Sequence, residues 1–573
     1  MKKHIISLGI ILLTALTSYA QTVLRSEVLG RCSNSSVVIQ MMFADSADVK
    51  VDYGTAPGTF TAQTTWQVYA DSINADIAIN GLQKNTQYYY RLTTRKHGTT
   101  GNNARSEHQF HTQRDLNDSF VFTVQADPHM DASSDTALYK VCLQNQLNDH
   151  PDFMIDLGDF LMTDKLRNSA NQVPFDTIPY RCNLLRAKYE TVCHSIPLYI
   201  TLGNHEGEAG WYNDGTPNNI AVWDTKERKK YFPNPFPDGF FSGDSTHYPF
   251  VGQRASYYSW TWGDALFVVL DPYWFTNPKP DAQTGWRWTL GKQQYDWLKQ
   301  TLENNHSKYK FVFSHQIVGG DPEGRGGIEY ASRYEWGGNE IDDTTYTWNT
   351  NRPGWYKPIK ELLKENRVNI FFHGHDHFFA KQEKECLIYQ ETPQPSLPNF
   401  NYPNSALPYG YLGGLILGNT GHLRVTITGS RTKVEYIKAY RPSQETGTRH
   451  NGDIVATYFI NASNNCYDSM FTNSPMIWNT NYFNEVVFPN PSAESTNIQI
   501  ESINNSPISL QIFDLNGRLI RTLLNNETLG VGNYTINWDH KNYEQQVVPA
   551  GTYLYIIQNN KQQIASGKIC IQK

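Results

Sequence analysis

Hydrophobic and polar positions alternate differently in three stretches of the chain. From residue 21 to about 113, short runs at 36–41, 47–53 and 75–79 show partial alternation with a period of two. Turn-forming residues, among them an Asn-Gly pair, separate these runs. A period of two is typical of half-buried strands, so we predict an all-β domain at 21–113.

The middle stretch, 114–445, alternates apolar strands with helical segments. The predicted strands are 120–125, 153–157, 198–202, 266–270, 310–314, 369–372, 415–417, 423–428 and 434–437, and the predicted helices are 136–147, 291–304 and 355–364. In the second helix the apolar residues Tyr295, Leu298 and Leu302 are three and four positions apart, as on one helix face. We therefore predict a layered α/β domain with its active loops at strand ends.

The stretch 484–573 again has the pattern of strands, and 446–483, with several Asn and Thr residues, is predicted to be a linker or a wrapping loop. The motifs of the last stretch are Phe-Pro-Asn-Pro at 488–491, 512–518, 549–555 and Gly-Lys at 567–568. Together they resemble the C-terminal sorting domain of the type IX secretion system. This resemblance implies a Gram-negative bacterium whose secretion machinery moves the protein across the outer membrane. A plain accessory β-sandwich, such as a carbohydrate-binding module, is the alternative.

The segment 81–91, Gly-Leu-Gln-Lys-Asn-Thr-Gln-Tyr-Tyr-Tyr-Arg, resembles the late loop and strand of a fibronectin type III sandwich. In that fold a tyrosine anchors the corner between two sheets. Ordinary strand packing would account for the same tyrosines. Either way, we expect an N-terminal β-sandwich without catalytic chemistry.

The first twenty residues are predicted to be a secretion signal. Lys2 and Lys3 precede an apolar run at 5–16, and Ser18-Tyr19-Ala20 offers small residues before Gln21 for cleavage. An uncleaved membrane anchor is the alternative. No later stretch has the roughly 18 apolar residues of a membrane span, so we expect a soluble mature protein.

Composition narrows the classes of partner. A length of 573 residues predicts about three or four domains. The charged fraction is 18% with a net charge of −6, and no Lys/Arg block is present. Binding to nucleic-acid polymers or anionic membranes needs clustered positive charge, so both are disfavoured. A small anionic substrate needs only local positive charge.

The seven cysteines are sparse and form no CxxC pair, which argues against a zinc–thiolate site. In an exported protein some of them are expected to pair. Cys182 and Cys193 are the nearest in sequence, but the connectivity stays open. Because seven is odd, at least one cysteine must stay free or pair elsewhere.

Five short motifs follow apolar strands in the middle stretch. They are Asp127-Pro128-His129, Gly158-Asp159, Gly203-Asn204-His205-Glu206, His315, and Gly374-His375-Asp376-His377. Carboxylate, amide and imidazole donors without thiolate suit hard to borderline divalent metals. One Asp between two ions, roughly 3.5–4 Å apart, can bridge them, and such a pair can clamp both oxygens of an in-line phosphoryl displacement. Singly, His129 fits an ordinary core histidine; the ordered set of five is specific.

This order of motifs resembles the calcineurin-like metallophosphoesterase superfamily, and the sandwich in front resembles that of purple acid phosphatases. The resemblance covers about residues 30–440. It implies two metal ions, divalent or of mixed valence. The first would be held by Asp127, His129, Asp159 and His377, and the second by the bridging Asp159, Asn204, His315 and His375. It also implies that His205 hydrogen-bonds the phosphate and stabilises developing negative charge.

Two residues depart from the purple acid phosphatase pattern. Met162 stands where those enzymes have the tyrosine whose charge transfer gives the colour, and His129 replaces the glycine of their first motif. We therefore expect no purple band, and an acidic pH optimum does not follow. Iron, manganese and zinc all remain open, since ligand softness does not decide among them.

The remaining chemistry is less defined by sequence. Arg325, in the loop after His315, is a candidate phosphate clamp through its planar fork, and a solvated loop arginine is the alternative reading. Asp376 is interpreted as a residue that contacts the ligands without binding metal, and His373 as a packed side chain that is not a ligand. The general acid stays open.

The expected function is a secreted phosphomonoesterase in which a metal-bound hydroxide attacks phosphorus, with Asp127, His205 and Arg325 as catalytic residues. The first alternative is a phosphodiesterase or nucleotidase on the same metal centre, which His129 favours modestly. A remote alternative is a non-catalytic surface adhesion protein, which would be expected to lack some ligands. Physiological substrate and oligomeric state stay open.

Overall fold

The computed structural model describes residues 21–70, 74–401, 403–461, 483–502, 506–514, 518–530, 532–559 and 562–572. The chain divides into two compact units, residues 1–468 and 469–573. Each unit is described by itself below. The predicted secretion signal at 1–20 lies outside the described residues. No described helix is both long and apolar enough to cross a bilayer.

The N-terminal part of the first unit is built from nine strands. They are β1 (Val23–Gly30), β2 (Ser36–Phe43), β3 (Ala47–Gly54), β4 (Ala62–Gln63), β5 (Gln67–Tyr69), β6 (Asn74–Asn80), β7 (Gln87–Lys96), β8 (Asn103–Ala104) and β9 (His108–His111). One sheet has the order β1-β2-β6, and the other contains β4-β3-β7-β8 with β5 on β3 and β9 on β7. Apolar side chains of both sheets, such as Ile39 and Leu92, share one buried core. The N-terminal β-sandwich is therefore confirmed.

The tyrosines of β7 have distinct roles in this sandwich. The Tyr88 hydroxyl accepts a hydrogen bond from the Gln83 backbone N–H at 2.9 Å, which ties the loop before β7 to the strand. The Tyr90 hydroxyl donates to the His194 carbonyl at 2.7 Å and thereby reaches the central domain. The more detailed resemblance to a fibronectin type III domain stays a prediction.

The central domain contains fourteen described strands. They are β10 (Phe120–Gln125), β11 (Phe153–Asp156), β12 (Leu198–Ile200), β13 (Ser242–Gly243), β14 (Tyr258–Trp262), β15 (Ala265–Val269), β16 (Tyr309–Phe313), β17 (Ile370–His373), β18 (Phe379–Lys384), β19 (Leu387–Glu391), β20 (Leu415–Leu417), β21 (His422–Ile427), β22 (Arg431–Ile437) and β23 (Ile454–Asn461). They form two sheets, of order β12-β11-β10-β21-β22-β23 and β13-β14-β15-β16-β17-β19-β18-β20. Strands β10 to β12 run parallel, as do β15, β16, β17 and β19.

The helices of the central domain are α1 (Thr136–Asn148), α2 (Thr177–Tyr189), α3 (Ile220–Tyr231), α4 (Gly291–Glu303), α5 (Tyr334–Gly337), α6 (Trp348–Asn351) and α7 (Ile359–Glu365). Short 3-10 turns lie at Thr163–Lys165, Gly210–Tyr212, Gly285–Arg287 and Pro442–Gln444. This mixture of parallel strands and helices confirms the predicted α/β class of the domain.

The two central sheets face each other, and alternation along each strand decides which layer a side chain enters. In β11, Phe153 and Ile155 point into the core between the sheets, whereas Met154 packs with α1 and α2 on the outside. Phe153 meets Phe267 of the opposite sheet with ring centroids 5.1 Å apart. On the outer face of the second sheet, residues such as Val312 pack with α4 and α7. The domain thus has a helix–sheet–sheet–helix layering.

Three features of this domain differ from the expectations. The predicted helix 355–364 begins only at Ile359, because Pro358 restrains the preceding backbone away from helical geometry. Helices α2 and α3 were not predicted. The predicted linker 446–483 includes β23, which pairs antiparallel with β22 over Arg431–Ile437. The rest of that stretch, from 462 to 482, lies outside the described residues.

The second unit consists of β24 (Phe483–Phe488), β25 (Thr496–Ser502), β26 (Ser506–Phe513), β27 (Leu519–Leu529), β28 (Gly532–Trp538), β29 (Gly551–Asn559) and β30 (Gln562–Ile571). They form a sheet of order β24-β25-β28 and one of order β27-β26-β29-β30. Side chains from both, including Ile500, Leu510 and Trp538, share one buried core. The predicted C-terminal β-fold is confirmed.

Five of the described cysteines are free, including both members of the pair nearest in sequence, Cys182 and Cys193. Cys386 is disulfide-bonded. The expectation that at least one thiol stays unpaired is therefore confirmed.

Candidate metal centre

The predicted ligands converge where five strands end. Asp127 and Asp159 follow the carboxyl ends of β10 and β11, and Asn204 follows β12. His315 follows β16, and His375 lies in the loop after β17. Because these strands are parallel within each sheet, their carboxyl ends bring the five loops to the same edge of the domain.

Two groups of side chains at this edge have the geometry of metal sites. Asp127, His129 and His377 form the first group, and Asp159, His315 and His375 form the second. Within each group the candidate donor atoms all lie within 4.8 Å of one another. All six residues were predicted as ligands.

Asp159 stands between the two groups. Its Oδ2 lies 3.2 Å from Nε2 of His315 in the second group and 3.9 Å from Nε2 of His129 in the first. The seventh predicted ligand, Asn204, places its Oδ1 3.1 Å from the same His315 nitrogen. The fold therefore brings together the seven side chains that were named from the sequence.

Two polar atoms at this site test whether a metal fits. Asp127 Oδ1 and His129 Nε2 are buried and have no hydrogen-bond partner among the described residues. A buried unsatisfied acceptor normally costs about 1–3 kcal/mol, so such atoms need a partner of another kind. Two carboxylates, one amide and four imidazoles, with no thiolate, are donors that iron, manganese or zinc accept. The residues therefore fit a pair of such ions.

The charges of the two carboxylates are stabilised by the surrounding imidazoles. Burial alone would raise the pKa of the Asp127 carboxyl, but His315 and His377 hold that pKa well below its ordinary value. Burial likewise opposes ionisation of Asp159, whose pKa is nevertheless lowered by His315 and His205. Both carboxylates are thus anionic donors at neutral pH.

The imidazoles divide into two kinds. Burial opposes the charged form of His129, yet its carboxylate neighbours raise its pKa to about 10. The pKa of His315 is raised to about 9 for the same reason, against the effect of burial. Burial keeps the pKa of His375 well below its ordinary value. Metal binding would have to displace the protons from the first kind, because ligands bind in the deprotonated form.

The ligand loops adopt backbone conformations that few side chains favour. We call residues 127–130 the His129 loop and residues 158–162 the Asp159 loop. In them Asp127, His129, Met130, Asp159 and Met162 all have φ between 51° and 56°. Left-handed conformations cost about 1–3 kcal/mol each for such residues, so surrounding contacts must stabilise them.

Backbone and glycine contacts provide part of that support. The Asp127 N–H donates to the Gly158 carbonyl at 3.0 Å, and the His129 N–H donates to the Asp159 carbonyl at 3.1 Å. A Cβ on Gly374 would lie 2.6 Å from Asp127 Oδ2, and one on Gly203 would lie 2.3 Å from Asp159 Oδ1. Both glycines are therefore required by the close approach of a ligand carboxylate.

His205, predicted to contact phosphate, lies at the rim of the site. Its Nε2 is 4.0 Å from Asp159 Oδ2 and 3.2 Å from the Asn204 amide nitrogen. Its Nδ1 is 2.8 Å from the Asp164 carboxylate, which also accepts a hydrogen bond from the Tyr212 hydroxyl at 3.1 Å. The contact with Asp164 thus fixes the orientation of the His205 ring, with Nε2 turned toward the metal ligands.

Arg325 is held beside the second group. Its Nη1 donates to the His375 carbonyl at 2.8 Å and to the Asp376 carboxylate at 3.2 Å. The Tyr409 ring lies against the guanidinium, with its centroid 4.3 Å from Cζ. Asp376 further accepts from the Tyr411 hydroxyl, so this arginine has a fixed position instead of a solvated one. His373, interpreted as packed, is buried with Nδ1 2.7 Å from Glu391.

Comparison with known proteins decides the family of this domain. Residues 120–379 match the model of the calcineurin-like phosphoesterase family. The chain carries a calcineurin-like phosphoesterase domain. Residues 486–572 match a secretion system C-terminal sorting domain. The second match confirms the resemblance to the type IX sorting domain, which implies export of the chain.

Solved structures agree with this assignment at the level of the fold. The chain is similar to the structure of PhoD, at 15% identity and a TM-score of 0.56, over 78% of this chain and 92% of that one. It is also similar to purple acid phosphatase PPD1 from seeds of yellow lupin, at 12% identity and a TM-score of 0.51, over 76% of this chain and 74% of that one. No curated protein matches the chain. The calcineurin-like phosphoesterase fold implies divalent metal ions.

Three residues that support the phosphoesterase site were not predicted. Glu206 is the last residue of the motif at 203–206, and Asp164 lies five positions after Asp159. Both acidic residues could therefore have been found from their proximity to predicted ligands in the sequence. The Glu206 carboxylate accepts the backbone N–H groups of Asp159, Phe160 and Leu161 at 2.8–2.9 Å, which shapes the Asp159 loop. Arg181, in α2, gave no signal, because nothing in a sequence marks an arginine that faces inward.

Proposed function

We propose that this chain is a secreted phosphoesterase that uses two metal ions to hydrolyse phosphate monoesters. The observation that carries the proposal is the placement of Asp159 Oδ2, 3.9 Å from His129 and 3.2 Å from His315. An oxygen in that position can be shared by two ions, and two ions are what in-line displacement at phosphorus uses.

The proposed ligands are those of the two groups together with Asn204. Asp127, His129 and His377 would hold one ion, and His315, His375 and Asn204 the other, with Asp159 shared. The ions, when bound, supply Lewis acidity that polarises phosphoryl oxygens and lowers the pKa of a nearby water. Asp127 additionally accepts the His375 backbone N–H at 2.9 Å, so it connects the two ligand loops.

His205 is proposed to hydrogen-bond the phosphoryl group. Its Nε2 faces the ligands, while the Asp164 carboxylate behind it accepts from Nδ1 and fixes the ring orientation. An imidazolium carries a proton on each ring nitrogen, so in that form Nε2 can donate to a phosphoryl oxygen while Nδ1 donates to Asp164. A donor fixed in this way stabilises the negative charge that develops on the non-bridging oxygens. Asp164, which also accepts a hydrogen bond from the Tyr212 hydroxyl, keeps Nε2 turned toward the ligands.

Arg325, beside His375, is proposed as a phosphate clamp. Its Nη1 donates to the His375 carbonyl and to the Asp376 carboxylate, and the Tyr409 ring packs against the guanidinium. A preoriented guanidinium loses little side-chain entropy when it binds an oxyanion. This rigidity supports the clamp reading over a solvated loop arginine.

A phosphodiesterase or nucleotidase is the second candidate, and the observation that favours it is His129. This imidazole replaces the glycine of purple acid phosphatases and adds a donor to the first group. A surface protein without catalysis is disfavoured, since it would be expected to lack some of the seven donor side chains that lie together here.

The test is a comparison of substrates on the purified protein. Aryl phosphate monoesters and diesters should be offered with and without a chelator, and bound metal measured by elemental analysis. We expect metal-dependent turnover with the monoester rate exceeding the diester rate. A larger diester rate would favour the second candidate, and no metal-dependent turnover of either substrate would refute both.

A further inference from the structure

Arg181 of helix α2 reaches the back of the two ligand loops. The side chain is buried, with 4% of its surface exposed. Its Nη1 donates to the Met130 carbonyl at 2.8 Å. Its Nη2 donates to the His129 carbonyl, and its Nε donates to the Leu161 carbonyl. All three guanidinium nitrogens are therefore used, and they bind carbonyl groups of both loops.

The two loops need such a connection. The His129 loop carries Asp127 and His129, and the Asp159 loop carries the central carboxylate. Five of their residues have left-handed backbone conformations, as described above. A guanidinium has a planar fork with fixed donor directions, so it can define the spacing between carbonyls of separate loops. Two or three flexible contacts would not impose the same spacing.

The charge of Arg181 makes its burial informative. No carboxylate lies within ion-pair distance of this side chain in the part of the chain that the structure describes, and Asp131 and Glu206 stabilise its charge only from farther away. A buried cation without an anionic partner is costly, and an apolar residue of similar size would fill the space at less cost. Packing alone therefore does not explain an arginine here, whereas fixing the loops does.

We propose that Arg181 is a positioning residue that holds the His129 loop and the Asp159 loop in their metal-binding arrangement before the ions bind. This inference rests on the proposed metal site. Without the guanidinium, the ligands would have to be ordered during binding, so part of the binding free energy would be lost. The expected effect is on metal affinity first and on turnover second.

The chain offers a matched control in the same helix. Arg186 is also buried, has a pKa lowered by burial, and donates only to carbonyls. Its Nη2 contacts the carbonyls of Ser26 at 2.6 Å and Gln40 at 2.7 Å, both in the N-terminal sandwich. Arg186→Met should therefore remove the donor to the Ser26 and Gln40 carbonyls, and with it any effect of a lost buried arginine on stability, without touching the ligand loops.

The experiment measures the dissociation constants of Mn²⁺ for the metal-free full chain by competition with a chelator. Thermal unfolding of the metal-free proteins is recorded alongside. We expect Arg181→Met to weaken binding by about tenfold or more, as for other partners that orient metal ligands. Arg186→Met should change the dissociation constants by less than about twofold, even if it changes the Tm as much as Arg181→Met does. Arg181→Lys, which keeps the charge without the fork, should weaken binding by at least about threefold.

Each outcome bears on one proposal. If Arg181→Met is folded by circular dichroism and binds within about twofold of the wild type, the inference fails. It also fails if Arg186→Met weakens binding as much as Arg181→Met does. Where Arg181→Met does not fold, Arg181→Lys decides by the same criterion. A wild-type chain that binds no Mn²⁺, Zn²⁺ or iron would instead refute the metal site itself.

Discussion

The Asp164 carboxylate lies 2.8 Å from the His205 imidazole, measured between Oδ1 and Nδ1. The second carboxylate oxygen accepts a hydrogen bond from the Tyr212 hydroxyl at 3.1 Å. The carboxylate accepts the hydrogen bond from Nδ1 and fixes the orientation of the ring, so the Nε2 of His205 faces the metal ligands. Asp164 is thus a positioning residue for the proposed phosphate contact.

The first prediction concerns this pair. In Asp164→Asn the shape is retained but the anionic acceptor at Nδ1 is lost, so the His205 ring is held less firmly in the orientation that turns Nε2 toward the ligands. We expect kcat to fall by roughly tenfold to a hundredfold with little change in KM or in metal content. Steady-state kinetics and elemental analysis measure these quantities.

Asp214→Asn is the control for this substitution, because Asp214 is an exposed turn residue whose carboxylate accepts from Thr216. It should leave kcat unchanged. An Asp164→Asn enzyme as active as Asp214→Asn would show that His205 needs no anionic partner.

The second prediction concerns Asp159. Replacing its shared oxygen in Asp159→Asn should remove most bound metal and reduce activity by several orders of magnitude while the fold survives, since a neutral amide is a poor bridge between cations. Metal content, turnover and circular dichroism report the three effects. Full turnover in Asp159→Asn would disprove the bridging role.

Asp152→Asn is a buried control just before the same strand, β11. Its carboxylate accepts two hydrogen bonds from Arg114 at 2.8 Å, at the end of β11 opposite to Asp159. This variant should lose stability but keep its metal. Equal metal loss in both variants would mean that Asp159→Asn acts through misfolding.

The third prediction concerns removal of metal. Ligands that bind only the folded state stabilise it, by about 4 kcal/mol at a thousandfold excess over the dissociation constant. Chelation should therefore lower the Tm by several degrees, and Mn²⁺ or Zn²⁺ should restore it. Calorimetry of Asp159→Asn should show almost no response to chelator, and a wild-type response no larger than that would contradict the proposal.

The fourth prediction uses a histidine pair at the contact between sandwich and central domain. The rings of His108 and His194 stack with centroids 4.0 Å apart. Burial, and then the neighbouring His194, lower the pKa of His108 to about 4, below the value of about 6.5 expected in the unfolded chain. The unfolded state then binds more protons between these values. Stability should be complete above about pH 6.5 and decline as the pH falls toward 4, by roughly 2 kcal/mol after allowance for partial exposure.

Denaturant titrations between pH 4 and pH 7.5 check this slope. His108→Asn should flatten it, because the group that titrates is gone. His306→Asn, at an exposed position, should leave the slope as in the wild type. If the free energy of unfolding of His108→Asn depends on pH as in the wild type, groups other than His108 cause the pH dependence.

The ligands could be predicted from the sequence because each one is marked by the strand directly before it. Each follows an apolar strand, and parallel strands bring their carboxyl ends to one edge. Asp127, Asp159 and His315 therefore meet although nearly two hundred positions separate the first from the last. The same reasoning correctly predicted the start of α1 at Thr136 and of α4 at Gly291.

Helix α2 shows why the rest escaped prediction. Its buried positions recur with perfect helical spacing at 178, 181, 182, 185, 186 and 189. Arginines occupy two of them, so the apolar stripe that would reveal the helix is interrupted. Their carbonyl partners belong to loops and strands distant in sequence, and these meet only in the folded chain. A hydropathy pattern cannot anticipate a cation that is stabilised by tertiary contacts alone.

Four of the free thiols, on Cys32, Cys142, Cys182 and Cys193, are enclosed in the core, and burial raises the pKa of each. Neither a thiolate nor an accessible sulfur is then available to an oxidant in the native protein. An unfolded chain in an oxidising compartment has no such protection. Correct folding after export therefore requires that these four thiols become buried before they are oxidised. Denatured protein should regain its native form efficiently only in a mixture of thiol and disulfide, which reverses wrong pairs while the native bond of Cys386 forms.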